Sequence, residues 1–180
     1  MTRRDRRARA GVTLVEACAI FCIAGVAFAV FVPTFFRRVH TSKLDEPREL
    51  VRELDQRLRV YYRTRQPDGV RCLPPALGPT PEAPSPEPVP FLGSALPEVT
   101  TAWETLGFTP EDPVRFSYRV EPAAEGCGVD VPPGEVLYRI VAEGDLDGDG
   151  TRSEFRRDAT LDEDGRVTEL GPLRIRDRVE

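Results

Sequence analysis

The sequence predicts an α+β chain: a long N-terminal helix, transmembrane in its first half and amphipathic in its second, packed on a small antiparallel β-sheet head. Three observations predict it. An apolar run from Val12 to Phe36 is long enough to cross a bilayer, which takes ~20 residues. Next, Leu44, Val51, Leu54, Leu58 and Tyr61 recur every three or four residues, one stripe of an amphipathic helix. Further on, "VRFSYRV" alternates, with Val114, Phe116, Tyr118 and Val120 on one face and Arg115, Ser117 and Arg119 on the other.

The 180 residues fit one small folded domain with extensions. Net charge is -5, unevenly placed. Arg3, Arg4, Arg6, Arg7 and Arg9 precede Gly11 with only Asp5 against them, and the rest of the chain has 20 basic against 29 acidic side chains. Such an acidic body argues against nonspecific nucleic-acid binding, which needs Lys and Arg to neutralise phosphates. The basic start reads as a cytoplasmic flank under the positive-inside rule.

In chain order, residues 1–11 are a basic leader and 12–36 the apolar helix, closed by Arg37 and Arg38. The amphipathic helix is expected over 37–66, with Pro47 bending it or restarting it from a first turn that holds the proline. Residues 67–100 are dense in proline and read as an extended, solvated loop, with a Pro-rich ligand for a partner as the lesser alternative. The head is expected over 101–180. "TTAWETLGFTPEDP" is a short helical turn packing Trp103, Leu106 and Phe108, and "VRFSYRV", "EVLYRIVAEG", "SEFRRDATLD" and "RVTEL" are four strands of a meander.

Cys18 and Cys22 lie four residues apart on one face of the apolar helix, where they read as small apolar filling. Cys72 and Cys127 lie outside it. If the body is exported, the compartment is oxidising and these two have only each other. Closing so long a loop contributes about 4 kcal/mol in the chain-entropy model. Two free thiols are the alternative.

Glu16 is the anomaly of the apolar run. An ionisable group at a membrane-helix centre costs ~2.5–3.5 kcal/mol and by default marks function. A cleavable secretory signal ending at Ala27-Phe28-Ala29 leaves apolar residues continuing to Phe36, and a plain signal anchor leaves Glu16 unexplained. Gly11 just before the run, Glu16 five residues after that glycine and Pro33 inside the same segment resemble the class III signal of type IV pilins and type II secretion pseudopilins. The resemblance implies that a prepilin peptidase cuts after Gly11 and methylates the new amine of Val12, a position where the family more often has phenylalanine. It also implies that the helix becomes the stem of a filament subunit in the inner membrane of a Gram-negative cell. The partners implied are other pilin-like subunits, the prepilin peptidase, the inner-membrane assembly platform and the membrane itself. Glu16 would sit in the first turn, where the helix dipole favours negative charge. It would pair with a neighbouring subunit's terminal ammonium and so select axial register. Pro33 removes one helical hydrogen bond and loosens the stem.

"EGDLDGDGTRSEF" carries the other chemistry. Asp145, Asp147 and Asp149 alternate, a pattern of oxygens that suits Ca²⁺. The twelfth position of an EF-hand loop is Arg156 here, so the loop is not an EF-hand, and Ser153 or Glu154 are left as candidates to complete a smaller site. A metal-free acidic hairpin turn is the alternative, since Asp-Gly pairs are common in plain hairpins. The stretch resembles loops in some pilin-like heads, several of which bind calcium. No cofactor is required by this reading, and Ca²⁺ is the one candidate ion. Catalysis has little support: His40 is the only histidine, and no serine or cysteine has a base nearby. Beside a pilin, minor pilin or pseudopilin stands a reading of another class, an unprocessed single-pass anchor carrying an extracytoplasmic calcium-binding or adaptor domain.

Overall fold

The computed structural model describes residues 14–64 and 69–176. It holds an N-terminal apolar helix and a mixed α+β head with an antiparallel sheet, in two compact units divided between Lys43 and Leu44. The first unit is α1 (Leu14–Lys43), a helix that runs unbroken through Pro33. Gly11 and Val12, the expected processing positions, lie outside the described residues.

The head begins with α2 (Asp45–Arg63), so the amphipathic helix starts later than position 37. Pro47 stands in its first turn, where a missing N–H costs nothing. Val51, Leu54, Leu58 and Tyr62 are buried, as the stripe predicts, but Tyr61 gives its place to Tyr62 and the acidic Asp55 is buried among them. Two short strands, β1 (Cys72–Leu73) and β2 (Leu77–Thr80), then precede α3 (Pro97–Leu106). Gly107 ends α3 in the left-handed region at φ 69°, Phe108 N–H reaches the Trp103 carbonyl at 3.1 Å, and the two rings meet at 5.5 Å. These are the hydrogen bond and the apolar contact of a Schellman cap.

The remaining strands are β3 (Ser117–Pro122), β4 (Gly126–Cys127), β5 (Val136–Gly144), β6 (Ser153–Leu161), β7 (Val167–Glu169) and β8 (Arg174–Arg176). The main sheet runs β2-β3-β5-β6-β7 with every neighbour antiparallel, and β8 joins the same side of β6 further along. β1 pairs with β4, and the Cys72–Cys127 disulfide bridges them. Tyr118, Val120, Ile140, Ala142, Phe155 and Ala159 make the buried face under α2 and α3, with Phe91 and Phe108 edge-on to Tyr118 and Trp103 packed against both phenylalanines.

Two expectations need correction. Within the span 67–100 expected as a solvated loop, the described residues from 69 on are structured: β2 forms an edge of the main sheet, Val89 bridges Val114, and Leu73, Leu77 and Phe91 enter the core. An edge strand tolerates Pro79 because the absent N–H need not face a partner. Gly78 permits the close approach, since a Cβ there would lie 2.2 Å from the Tyr118 carbonyl oxygen. The strand expected from Val114 also starts three residues late. Arg115 and Phe116 donate their N–H groups to Glu46 Oε1, at 2.8 and 3.2 Å, instead of to a neighbouring strand.

Candidate assembly helix and acidic loop

From Leu14 to Val32, α1 is long and apolar enough to cross a membrane. Its apolar residues lie on every side, and Leu14, Val15, Phe21, Phe28 and Phe31 are all exposed among the described residues. Glu16 stands in the first turn and is exposed, at the end where the helix dipole favours an anion. Cys18 and Cys22 are free and exposed on the same helix. Pro33 is inside α1, and its expected role as a loosened point leaves the helix continuous.

The acidic loop connects β5 to β6 at the end of the sheet. Asp145, Asp147 and Asp149 each bring a carboxylate oxygen within 4.8 Å of the others. Asp145 accepts from Gly148 N–H at 2.8 Å and Gly150 N–H at 3.2 Å. Asp147 accepts from Asp149 N–H at 3.1 Å, and Asp149 from Thr151 N–H at 2.6 Å. Gly150, at φ 89°, sits where a calcium loop takes its sharpest bend. The backbone N–H of Thr151 holds the Asp149 carboxyl below the usual carboxylate range, so it is ionised near neutral pH. Three converging carboxylates with outward lone pairs fit a hard, oxygen-loving cation, and the same backbone bonds close the turn without one.

Of the four predicted ligands, Glu154 does not join this group. It lies on β6, opposite Arg176 of β8 and next to Arg156. Arg156 itself is held by Asp158 at 2.7 Å, so the twelfth loop position supplies a committed cation and no ligand.

The outer sheet face is an ion-pair ladder that the alternation signal did not reveal. Arg119 binds Glu121 and Glu143, Arg152 binds Glu143, and Arg139 and Arg156 both bind Asp158. Burial raises the affinity of Glu143 and Asp158 for protons, yet the hydrogen bonds from their arginines hold both carboxyls below the usual range.

Comparison with protein-family models, with curated proteins and with solved structures found no match.

Proposed function

We propose that this chain is a pilin-like structural subunit, a pilin, minor pilin or pseudopilin, that assembles through α1 into a type IV pilus or type II secretion pseudopilus. The observation that carries the reading is α1 itself. It is an apolar helix with large exposed side chains from Leu14 to Val32 and a carboxylate in its first turn, and the head closes its own core. A simple anchor needs the length but not Glu16. In a filament, packed α1 helices bury the apolar surface, and a neighbour's terminal ammonium meets Glu16 in low dielectric, where a misaligned charge is costly. The subunit begins as a single-pass protein of the inner membrane with its head outside, and ends in a pilus or periplasmic pseudopilus. The Cys72–Cys127 bridge accords with an oxidising compartment for the head. Its role is structural, not catalytic, and its partners are other pilin-like subunits, the prepilin peptidase and the assembly platform.

Coexpression with a prepilin peptidase followed by intact-mass measurement tests this. Loss of Met1–Gly11 with one added methyl group supports the subunit. An intact N-terminus overturns it in favour of an unprocessed anchor, and a chain beginning at Val30 in favour of secretion.

The Asp145, Asp147 and Asp149 cluster keeps a second reading in play, an anchored calcium-binding or adaptor domain. Under either reading, the three aspartates would hold Ca²⁺ and the ion would stiffen the β5–β6 connection.

A further inference from the structure

β8 has one strand neighbour, β6, and no described strand pairs with its other side. One row of its N–H and C=O groups therefore faces away from the sheet. Ile175 lies opposite Phe155 and packs on the core, which turns Arg174 and Arg176 to the outer face, where both are exposed. Arg174 lies directly opposite Arg156, a like-charge cross-strand pair that is unfavourable by itself. Arg156 is satisfied by Asp158. The arginines at 119, 139 and 152 are likewise ion-paired on this face, whereas among the described residues Arg174 and Arg176 make no ion pair, and the one carboxylate facing them is Glu154, opposite Arg176. Glu154 and Arg156 of β6, with Arg174, Ile175 and Arg176 of β8, line a shallow depression of about 290 Å³ beside this edge.

We propose that this corner of the sheet docks an extended polypeptide segment with carboxylates at alternating positions, which adds to β8 as a further strand. Two features favour this occupant. The corner is cationic on a body that is acidic outside the leader, so charge complementarity selects an acidic partner. Arg174 and Arg176 are two residues apart, and a strand laid alongside repeats its outward side chains with the same period. Main-chain bonds then give affinity, and acidic side chains at i and i+2 give specificity. Charged residues on an edge also deter indiscriminate pairing. An arginine edge rejects neutral and basic strands and admits an acidic one. The proposal does not depend on how α1 is used.

The test uses the full chain in detergent micelles and fluorescent peptides, read by anisotropy at about 25 mM salt, where screening is weak. The probes are Glu-Thr-Glu-Thr-Glu, the permuted Glu-Glu-Glu-Thr-Thr, and the alternating peptide with N-methylated backbone. The alternating peptide is expected to bind about tenfold tighter than either control. Arg174→Gln with Arg176→Gln is expected to remove that advantage, while Arg52→Gln on exposed α2 surface leaves it intact. Equal binding of the methylated peptide overturns strand addition. Equal binding by the double variant, or an equal loss with Arg52→Gln, overturns the site. The peptide comparison on the unmodified chain holds whether or not a variant folds.

Discussion

The phenol of Tyr138 donates a 2.8 Å hydrogen bond to Oδ1 of Asp55, and both residues are buried. The other carboxylate oxygen takes Arg59 Nε at 2.9 Å, and Arg59 Nη1 reaches on to the Val167 carbonyl at 2.7 Å. One polar seam thus fixes the rotation of α2 over β5 and β7, within a face that is otherwise apolar. Glu46 does the same at the start of α2, accepting from Arg115, Phe116 and the Tyr118 hydroxyl. Tyr138→Phe leaves Asp55 one donor short in a buried place and should cost about 1–3 kcal/mol. Urea denaturation of variant and parent checks this, and an unchanged midpoint would remove the seam from the account of stability.

The same two tyrosines set an alkaline limit. Burial raises the Tyr138 phenol far above its ordinary value, and the Asp55 carboxylate raises it further; burial and Glu46 raise Tyr118 likewise. A raised folded-state value means that the fold prefers the protonated phenol. The contribution is therefore complete below about pH 10 and is lost as pH rises beyond it. The melting temperature of the head should fall above about pH 10, and Tyr138→Phe should reduce the slope by up to about one proton, leaving the share of Tyr118. An identical slope in the variant would show that Tyr138 does not carry it.

Much of this architecture was legible in the sequence, and the failures share a cause. Val114, Phe116, Tyr118 and Val120 are all buried because period-two alternation reports directly which face meets the core. Trp103, Leu106 and Phe108 were legible for a similar reason, as large apolar groups beside a glycine that caps a helix. Asp55 was not legible, because an acid inside a hydrophobic stripe, with Arg59 one turn on, reads as a solvent-facing ion pair until the fold brings Tyr138 to it from β5. β2 was hidden by Pro79, whose effect depends on edge position, a property of the sheet and not of the segment. In the acidic loop, spacing brought Asp145, Asp147 and Asp149 together, but sequence proximity misplaced Glu154, because strand pairing sends it towards Arg176.

The Cys72–Cys127 bridge spans a sequence separation of 55 and joins the two-residue strands β1 and β4, of which β4 is exposed. Such a loop predicts about 4 kcal/mol of stabilisation, chiefly through the unfolded chain. Cys72→Ser with Cys127→Ser should lower stability by about 2–5 kcal/mol, measured by denaturation against the oxidised parent. A difference under about 1 kcal/mol would mean that the unfolded chain is already constrained there.

Glu16→Ala tests the proposed assembly contact. Leaving one charge of a buried pair without its partner costs about 3–5 kcal/mol, enough to reduce incorporation more than tenfold. The variant should be processed and its head should melt as the parent does, because α1 and the head core are separate units. The amount of subunit in sheared filaments, normalised to membrane-bound subunit, gives the readout. Normal incorporation would take Glu16 out of assembly while leaving the helix as an anchor.

Calcium binding at Asp145, Asp147 and Asp149 has a bounded expectation. The loop offers three carboxylates and no glutamate at its twelfth position, so affinity belongs with the weaker extracellular sites, about 10⁻⁴–10⁻³ M. At about 5 mM Ca²⁺ such a site adds roughly 1–2 kcal/mol to the folded state. For a domain of this size that raises the melting temperature by about 3–8 °C. Mg²⁺ should do less, since it keeps its waters and demands a tighter octahedron than an open loop provides. Asp147→Asn with Asp149→Asn should abolish the shift without lowering the metal-free melting temperature, because asparagine oxygens accept the same backbone hydrogen bonds. If the parent melts identically in Ca²⁺ and in EDTA, these aspartates only close a turn, and the calcium reading fails while the filament reading stands.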